Sequence, residues 1–236
     1  RMTWQALLEN PRVVILSEAG SGKTREIRQA AQTLRCQGKA AFFLRLESVA
    51  NWFEDAFEAE TGTFDQFEDW LASTEEGWLL LDSVDEARLR DPGDFERAVR
   101  ALSRKTNIAK NRVHVVITGR TSAWRARSDL DICLKAFPPP QTKTQEKAPP
   151  PGDVSDEIEE TVNIGNAKKA AKPSFLVVSL DDLNKGQIEE FARAKGIDDT
   201  QAFLAAIERA DAFTFSTRPE DLSELVQFWI DKGKIG

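Results

Sequence analysis

The chain has 236 residues, 41% of them hydrophobic, with 32 Lys and Arg against 39 Asp and Glu, a formal net charge of −7 and a pI near 5.0. That is enough apolar chain for one large domain, or a medium one with a smaller companion, and the acidic balance argues against a nucleic-acid binder that uses its whole surface. No apolar run approaches a membrane span and no secretory leader is evident, so a cytoplasmic setting is expected.

The first expected strand, Val13–Leu16, is a short β-branched run that drops into a glycine-rich turn ending on Gly22-Lys23-Thr24. This is the layout of a phosphate-binding loop. Glycines permit a tight turn whose backbone N–H groups face phosphate oxygens. Lys23 supplies a cation for the β- and γ-phosphates, and the Thr24 hydroxyl is a candidate Mg²⁺ ligand. The stretch Ala19, Gly20, Ser21, Gly22, Lys23, Thr24 and Arg25 is the expected phosphate cradle. The helix that follows, Lys23 to Arg35, directs its positive N-terminus at the same anions. One position departs from the full pattern: Ser17 stands where a first glycine is usual, and Gly20 and Gly22 supply the turn.

A second strand is expected at Ala40–Leu46 after the stop at Gly38, then helix from Val49 to Ser73, split in two at Thr61-Gly62-Thr63. Trp78–Leu81 is the third strand, Asp94–Lys105 a helix with Phe95, Val99 and Leu102 on one face, and Val113–Thr118 the fourth strand. His114, the sole histidine, reads as a strand residue with a satisfied hydrogen bond rather than a ligand or base. Cys36 and Cys133 have no metal spacing; both are expected to be buried free thiols, Cys36 near a helix end and Cys133 in a strand. Short apolar strands separated by helices argue for a parallel sheet covered on both faces.

From about 138 to 172 the chain turns rich in Pro, Lys, Glu, Gln and Thr, and is expected to be a mobile insertion whose middle forms at most a transient helix or strand. Phe175–Leu180 is a fifth strand. Beyond Asp181 the pattern is helical: Asn184–Lys195, Thr200–Arg209 and Glu220–Lys232. The ends of the sequence, Arg1-Met2 and Lys-Gly-Lys-Ile-Gly, suggest a fragment of a longer protein.

A nucleotide hydrolase of this layout needs an acidic residue at the tip of a buried neighbouring strand. Trp78–Glu86 provides it: Asp82 follows the apolar run directly, where ligands bind in open α/β sheets, and its expected role is to hold Mg²⁺ through water. Asp85 and Glu86 follow, and either is placed to polarise an attacking water. Strand four ends in Thr118-Gly119-Arg120, so Thr118 and Arg120 are candidates to sense the γ-phosphate.

Together these motifs resemble the NACHT-type branch of the STAND class of P-loop ATPases. The resemblance rests on Ile15–Thr24 (ILSEAGSGKT), Leu79–Glu86 (LLLDSVDE), Val115–Arg120 (VVITGR) and their order; Ser216–Trp229 resembles the family's lid segment. It implies an α/β fold, a three-layer αβα parallel-sheet P-loop NTPase core over residues 1–180, followed by a small helical lid subdomain over 181–236. It implies ATP or ADP with Mg²⁺ as cofactors, Lys23 and Thr24 on phosphate and metal, and Asp82 on the metal. It further implies Asp85 and Glu86 near the water, Arg120 as the strand-four sensor and Pro219 on the base. Thr217 replaces a family glycine two positions before that proline.

The family implies a nucleotide-controlled conformational and oligomerisation switch with low turnover, attached to sensor and effector domains of a longer chain and, in bacteria, found in antiphage defence. A homo-oligomer is an expected partner; no membrane or nucleic-acid partner is indicated. The alternative is an AAA+-type oligomeric motor, with Arg125 or Arg127 as the finger offered to a neighbour. Ser83 stands where that class places its catalytic Glu. A small-molecule phosphotransferase, or a module that binds no nucleotide, has less support from the sequence.

Overall fold

The computed structural model describes residues 2–140 and 175–233, so the expectations for the proline-rich segment lie, from 141 on, outside the described residues. The chain opens with a short helix α1 (Trp4–Leu8), capped by the Thr3 hydroxyl, which accepts from the Ala6 amide. Strand β1 (Arg12–Leu16), helix α2 (Lys23–Cys36) and strand β2 (Ala40–Arg45) follow. Next come α3 (Leu46–Val49), α4 (Phe64–Ala72), β3 (Gly77–Asp82), α5 (Val84–Arg90) and α6 (Asp94–Lys105). The core closes with β4 (Val113–Gly119), α7 (Ala126–Ala136) and β5 (Leu176–Ser179).

The strands form one five-stranded sheet in the order β2-β3-β4-β1-β5, every pairing parallel. β1 lies inside the sheet because β4 and β5 flank it. Alternation along β1 splits the core into two layers. Val13 and Ile15 pack with Phe43, Leu80 and Val116 under α1 and α2, through Leu7, Ile27, Ala31 and Leu34. Val14 packs with Phe42, Leu44, Leu79, Leu81, Val115 and Ile117 on the other face, under Leu46, Phe67, Trp70, Val84, Phe95, Leu102 and Cys133 from α3 to α7. Helices on both faces are what an all-parallel sheet requires, since each crossover must lay apolar surface on one side or the other.

Three local expectations are corrected. Helix α3 ends at Val49 and residues 50–63 form no α-helix: Glu54–Ala56 and Ala59–Thr61 are single 3-10 turns, and of the expected pair only the second helix, α4, is regular. Phe53 and Phe57 turn inward to meet Phe64 and Phe67, with ring centroids 5.2–5.9 Å apart, and that aromatic cluster outweighs helical periodicity. Gly62, at φ +108°, lets this segment press on β2, where a Cβ would lie 2.6 Å from the Phe42 ring. Cys133 lies in α7, not a strand: Leu130, Cys133, Leu134 and Phe137 follow helical spacing onto the core. Burial pushes its thiol up to about 12, whereas Cys36, in the last turn of α2, is exposed rather than buried.

At the amino end of β1, Arg12 is 2% exposed. Its guanidinium donates to the carbonyls of Phe137, Pro11, Val113, Lys110 and Pro138 at 2.5–3.2 Å. Burial lowers its pKa to about 10.

After β5 the chain is helical: α8 (Lys185–Ala194), α9 (Thr200–Arg209), α10 (Phe213–Ser216) and α11 (Pro219–Lys232). Asn184 and Gln187 form a reciprocal capping box on α8, Asp199 caps α9, and Pro219 occupies the first turn of α11, where its missing N–H costs nothing. Ile188, Phe203, Leu204, Ile207, Leu222 and Val226 form a separate core built only from these helices. Among the described residues no helix is long and apolar enough to cross a membrane.

Candidate functional site

Sheet register brings the site together. Leu16 pairs with Gly119, Leu81 with Ile117, and Arg45 with Asp82, so β1, β3 and β4 end at one level. The turn after β1 leaves the sheet beside β4, where the Ser17 amide donates to the Gly119 carbonyl at 3.1 Å. Gly20 (φ +74°) and Gly22 (φ +85°) hold left-handed conformations that L side chains rarely adopt, and Gly22 caps α2.

Lys23 is 9% exposed and folds back over the turn. Its ammonium donates to the carbonyls of Ser17 (2.8 Å) and Glu18 (2.7 Å) and contacts the Ser21 hydroxyl at 3.3 Å. Its pKa lies below the usual lysine value, chiefly through burial and further through the Arg120 cation, while Asp85, Asp82 and Glu18 oppose the shift.

Asp82 ends β3 at 4% exposure and accepts a hydrogen bond from the Thr118 hydroxyl. Asp85 is held in three ways. Its Oδ1 accepts from the Ser83 hydroxyl and the Arg120 amide, each at 3.0 Å, and its Oδ2 pairs with Arg120 Nε at 2.8 Å. The Glu86 carboxyl is pushed above the ordinary glutamate value, first by burial, then by the charges of Asp82, Glu47 and Asp85, with Arg45 opposing. Gly119 allows α5 to start this close to β4, since a Cβ there would lie 3.1 Å from Val84 Cβ.

The C-terminal helices close the cleft from above. The Glu220 amide donates to the Gly20 carbonyl at 3.3 Å; a Cβ on Gly20 would lie 2.8 Å from the Glu220 carboxylate, and one on Gly22 would lie 3.6 Å from the Pro219 ring. The result is one cavity of about 500 Å³ lined by Ala19, Gly20, Ser21, Gly22, Lys23, Thr24, Arg25, Asp82, Asp85, Glu86, Arg120 and Pro219. The residues singled out in the sequence for nucleotide, metal and water are on this wall; Thr118, the other candidate γ-phosphate sensor, is not, and reaches it through Asp82. Ser83, Phe191, Glu220 and Ser223 also line it. The last three were missed because nothing local marks a helix start or face as docking on a distant loop. Arg125 and Arg127, the finger candidates, are exposed and do not line it.

A second cavity of about 490 Å³ adjoins the loop at Ser21 and Pro219, with apolar walls from Trp4, Leu7, Ile15, Val178, Leu180 and Leu183. A third, of about 690 Å³, lies at the far end of the sheet near Trp78 and His114. There the imidazole stacks on the Trp78 indole at 4.6 Å. Its hydrogen bond is to the backbone of Asn10, while buried Nδ1 has no partner and Nε2 lies 3.8 Å from Glu76. Burial lowers the His114 pKa, with the Glu76 charge and the Asn10 backbone opposing.

No protein-family model matches this chain, and no curated protein matches it. Among solved structures, the Orc1 protein of Aeropyrum pernix in complex with DNA is 9% identical at a TM-score of 0.46, over 94% of this chain and 55% of that one. PCH-2 of C. elegans is 12% identical at 0.42, over 93% of this chain and 60% of that one. The chain thus spans less than two thirds of either protein. Both scores lie below 0.5; the parallel five-stranded α/β sheet followed by helices is read from this chain's own strand order.

Proposed function

We propose that the chain is an ATP-binding and ATP-hydrolysing P-loop module whose C-terminal helices act as a lid. The observation that carries this reading is the convergence of the glycine turn, Lys23, Thr24, Asp82 and Glu86 on one cleft closed by Pro219. In this reading the turn amides and the α2 N-terminus hold the phosphates. Lys23 exchanges its carbonyl partners for β- and γ-oxygens. The adjoining apolar cavity takes the base, with Pro219 between base and phosphates.

The donors present suit Mg²⁺: Thr24 offers a hydroxyl and Asp82 a carboxylate on the same wall, hard oxygens of the kind this ion accepts along with water and phosphate. When bound, the ion neutralises charge on the phosphates. Thr118 orients the Asp82 carboxylate through its hydroxyl. Glu86 is the group best suited to take a proton from the attacking water: its pKa is already raised, and Asp85 is committed to Arg120. Water oxygen bonds to the γ-phosphorus, the bond to the β-bridging oxygen breaks, and ADP leaves.

Two finer readings share this site. One is a NACHT-type switch in a signalling or defence protein, with slow turnover and attached sensor and effector domains. The other is an AAA+-type oligomeric motor, which would need a finger such as Arg125 or Arg127 offered to a neighbouring copy. Titration calorimetry with ATP and ADP, with and without Mg²⁺, tests the shared reading, and absence of Mg-dependent uptake sinks it. Glu86→Gln is expected to cut turnover by about 10²–10⁴-fold while retaining bound ATP. Turnover rate and mass in solution with ATP then separate a slow switch from a ring-forming motor.

A further inference from the structure

We propose that the cavity of about 690 Å³ at the amino ends of the strands binds a linear aliphatic polyamine, a small polycation whose ammonium groups are separated by methylene spacers. This site lies outside the phosphate cleft and does not depend on the proposed function.

Helix α1 supplies Trp4 and Glu9 to the wall, α2 supplies Glu26, and the chain entering β2 and β3 supplies Lys39, Glu76 and Trp78. Three carboxylates against one ammonium make the wall acidic, which disfavours phosphates and other anions as occupants. His114 also lines it, and burial disfavours its charged form. Among the described residues no group of three or more acidic, imidazole or thiol side chains is placed to hold a metal ion. The carboxylates therefore do not converge on a point charge. An extended cation, with its charges spaced along a chain, can meet them separately, and its methylene spacers need apolar surface of the kind the two indoles offer.

An alkylammonium of the chain itself already uses this wall in the same manner. The Lys39 ammonium stands 4.9 Å over the Trp78 ring, a cation–π contact made by a residue that is exposed and free to swing out. Both indoles are held in place. Trp78 Nε1 donates to the Leu8 carbonyl at 3.1 Å, and the His114 ring stacks on it at 4.6 Å. Trp4 Nε1 donates to Glu26 Oε2 at 2.9 Å, which fixes the carboxylate of α2 as well. The site is thus formed in advance, and its volume is on the scale of a small-molecule pocket.

The test is calorimetric titration of the purified chain with spermidine at about 0.15 M ionic strength, where diffuse attraction between surface charges is screened. Saturable binding is expected. Glu26→Gln, which keeps an acceptor for Trp4, and Glu76→Gln, at an exposed position, are each expected to weaken it by about three- to fivefold, the scale of one exposed ion pair. Glu190→Gln, at an exposed position of α8, should leave it within about twofold. Lys39→Ala should tighten it by about two- to fivefold, because the indole loses its internal competitor. The inference is overturned if spermidine does not saturate the chain, or if Glu190→Gln costs as much as Glu26→Gln and Glu76→Gln, which would make the binding a diffuse attraction to an acidic protein. It is equally overturned if Lys39→Ala weakens binding, or if an acetylated pentalysine peptide binds and spermidine does not.

Discussion

The two ends of β1 each carry a cation held by backbone oxygens, and the two are built to opposite purposes. At the amino end, Arg12 spreads its planar fork over five carbonyls from four parts of the chain. At the carboxyl end, the Lys23 ammonium rests on two carbonyls and a hydroxyl of its own loop. Arg12 cannot leave without stranding buried carbonyls of β4 and α7. Lys23 can, because its acceptors lie within a six-residue turn beside an open cleft, and a phosphate offers it more charge than they do. The same strand is locked at one end and exchangeable at the other, which is how a parallel sheet separates stability from chemistry.

The largest expected effect attacks the locked end. Arg12→Met keeps an unbranched apolar stem but removes every donor, and should lower unfolding free energy by about 3 kcal/mol in urea denaturation, since buried acceptors lose their partners. A loss below about 1 kcal/mol would mean that water replaces the guanidinium and that the two ends are less different than the geometry says. At the other end, Lys23→Ala should weaken ATP binding by about 10- to 100-fold, the scale of a charge-assisted hydrogen bond. Thermal stability without nucleotide should hold or rise, because a desolvated ammonium is removed. If Lys23→Ala unfolds the protein as Arg12→Met does, the contrast fails.

The smallest effect sharpens it with pH. The Glu86 pKa is raised in the fold above its ordinary value of 4.5. Protonated Glu86 is therefore tolerated in full below that value, and stability is lost as pH rises through the folded pKa. Glu86→Gln should match the wild type in Tm near pH 4 and exceed it near pH 8. A difference independent of pH would assign the gain to packing rather than charge.

Much of this was legible because the relevant physics is local. The five strands announce themselves as short β-branched or apolar runs, and their observed ends fall within a residue or two of the expected ones; β3, expected at Trp78–Leu81, runs Gly77–Asp82. The loop, Asp82 and Arg120 could be named because each closes a strand. Strand order could not be read, since β4 lies between β1 and β3 only through crossovers that no residue declares. In the aromatic segment 50–63 tertiary packing overrides short-range pattern, whereas Cys133 sits in helical spacing with Leu130, Leu134 and Phe137 that a strand reading passes over. Nothing local marks Arg12, because its acceptors come from as far as Pro138. Asp85 and Glu86 look alike in the sequence because the pairing that sets Asp85 apart is with Arg120, thirty-five positions away.

The near contact between Gly20 and Glu220 couples the shape of the turn to the seating of α11. A methyl group at position 20 would meet the Glu220 carboxylate at 2.8 Å and its Cβ at 3.2 Å, so that side chain would have to swing aside and its stem give way slightly, besides the strain on a backbone that stands at φ +74°. The absence of a side chain at this glycine is thus a clearance as much as a freedom of rotation, and it sets how far the roof can descend.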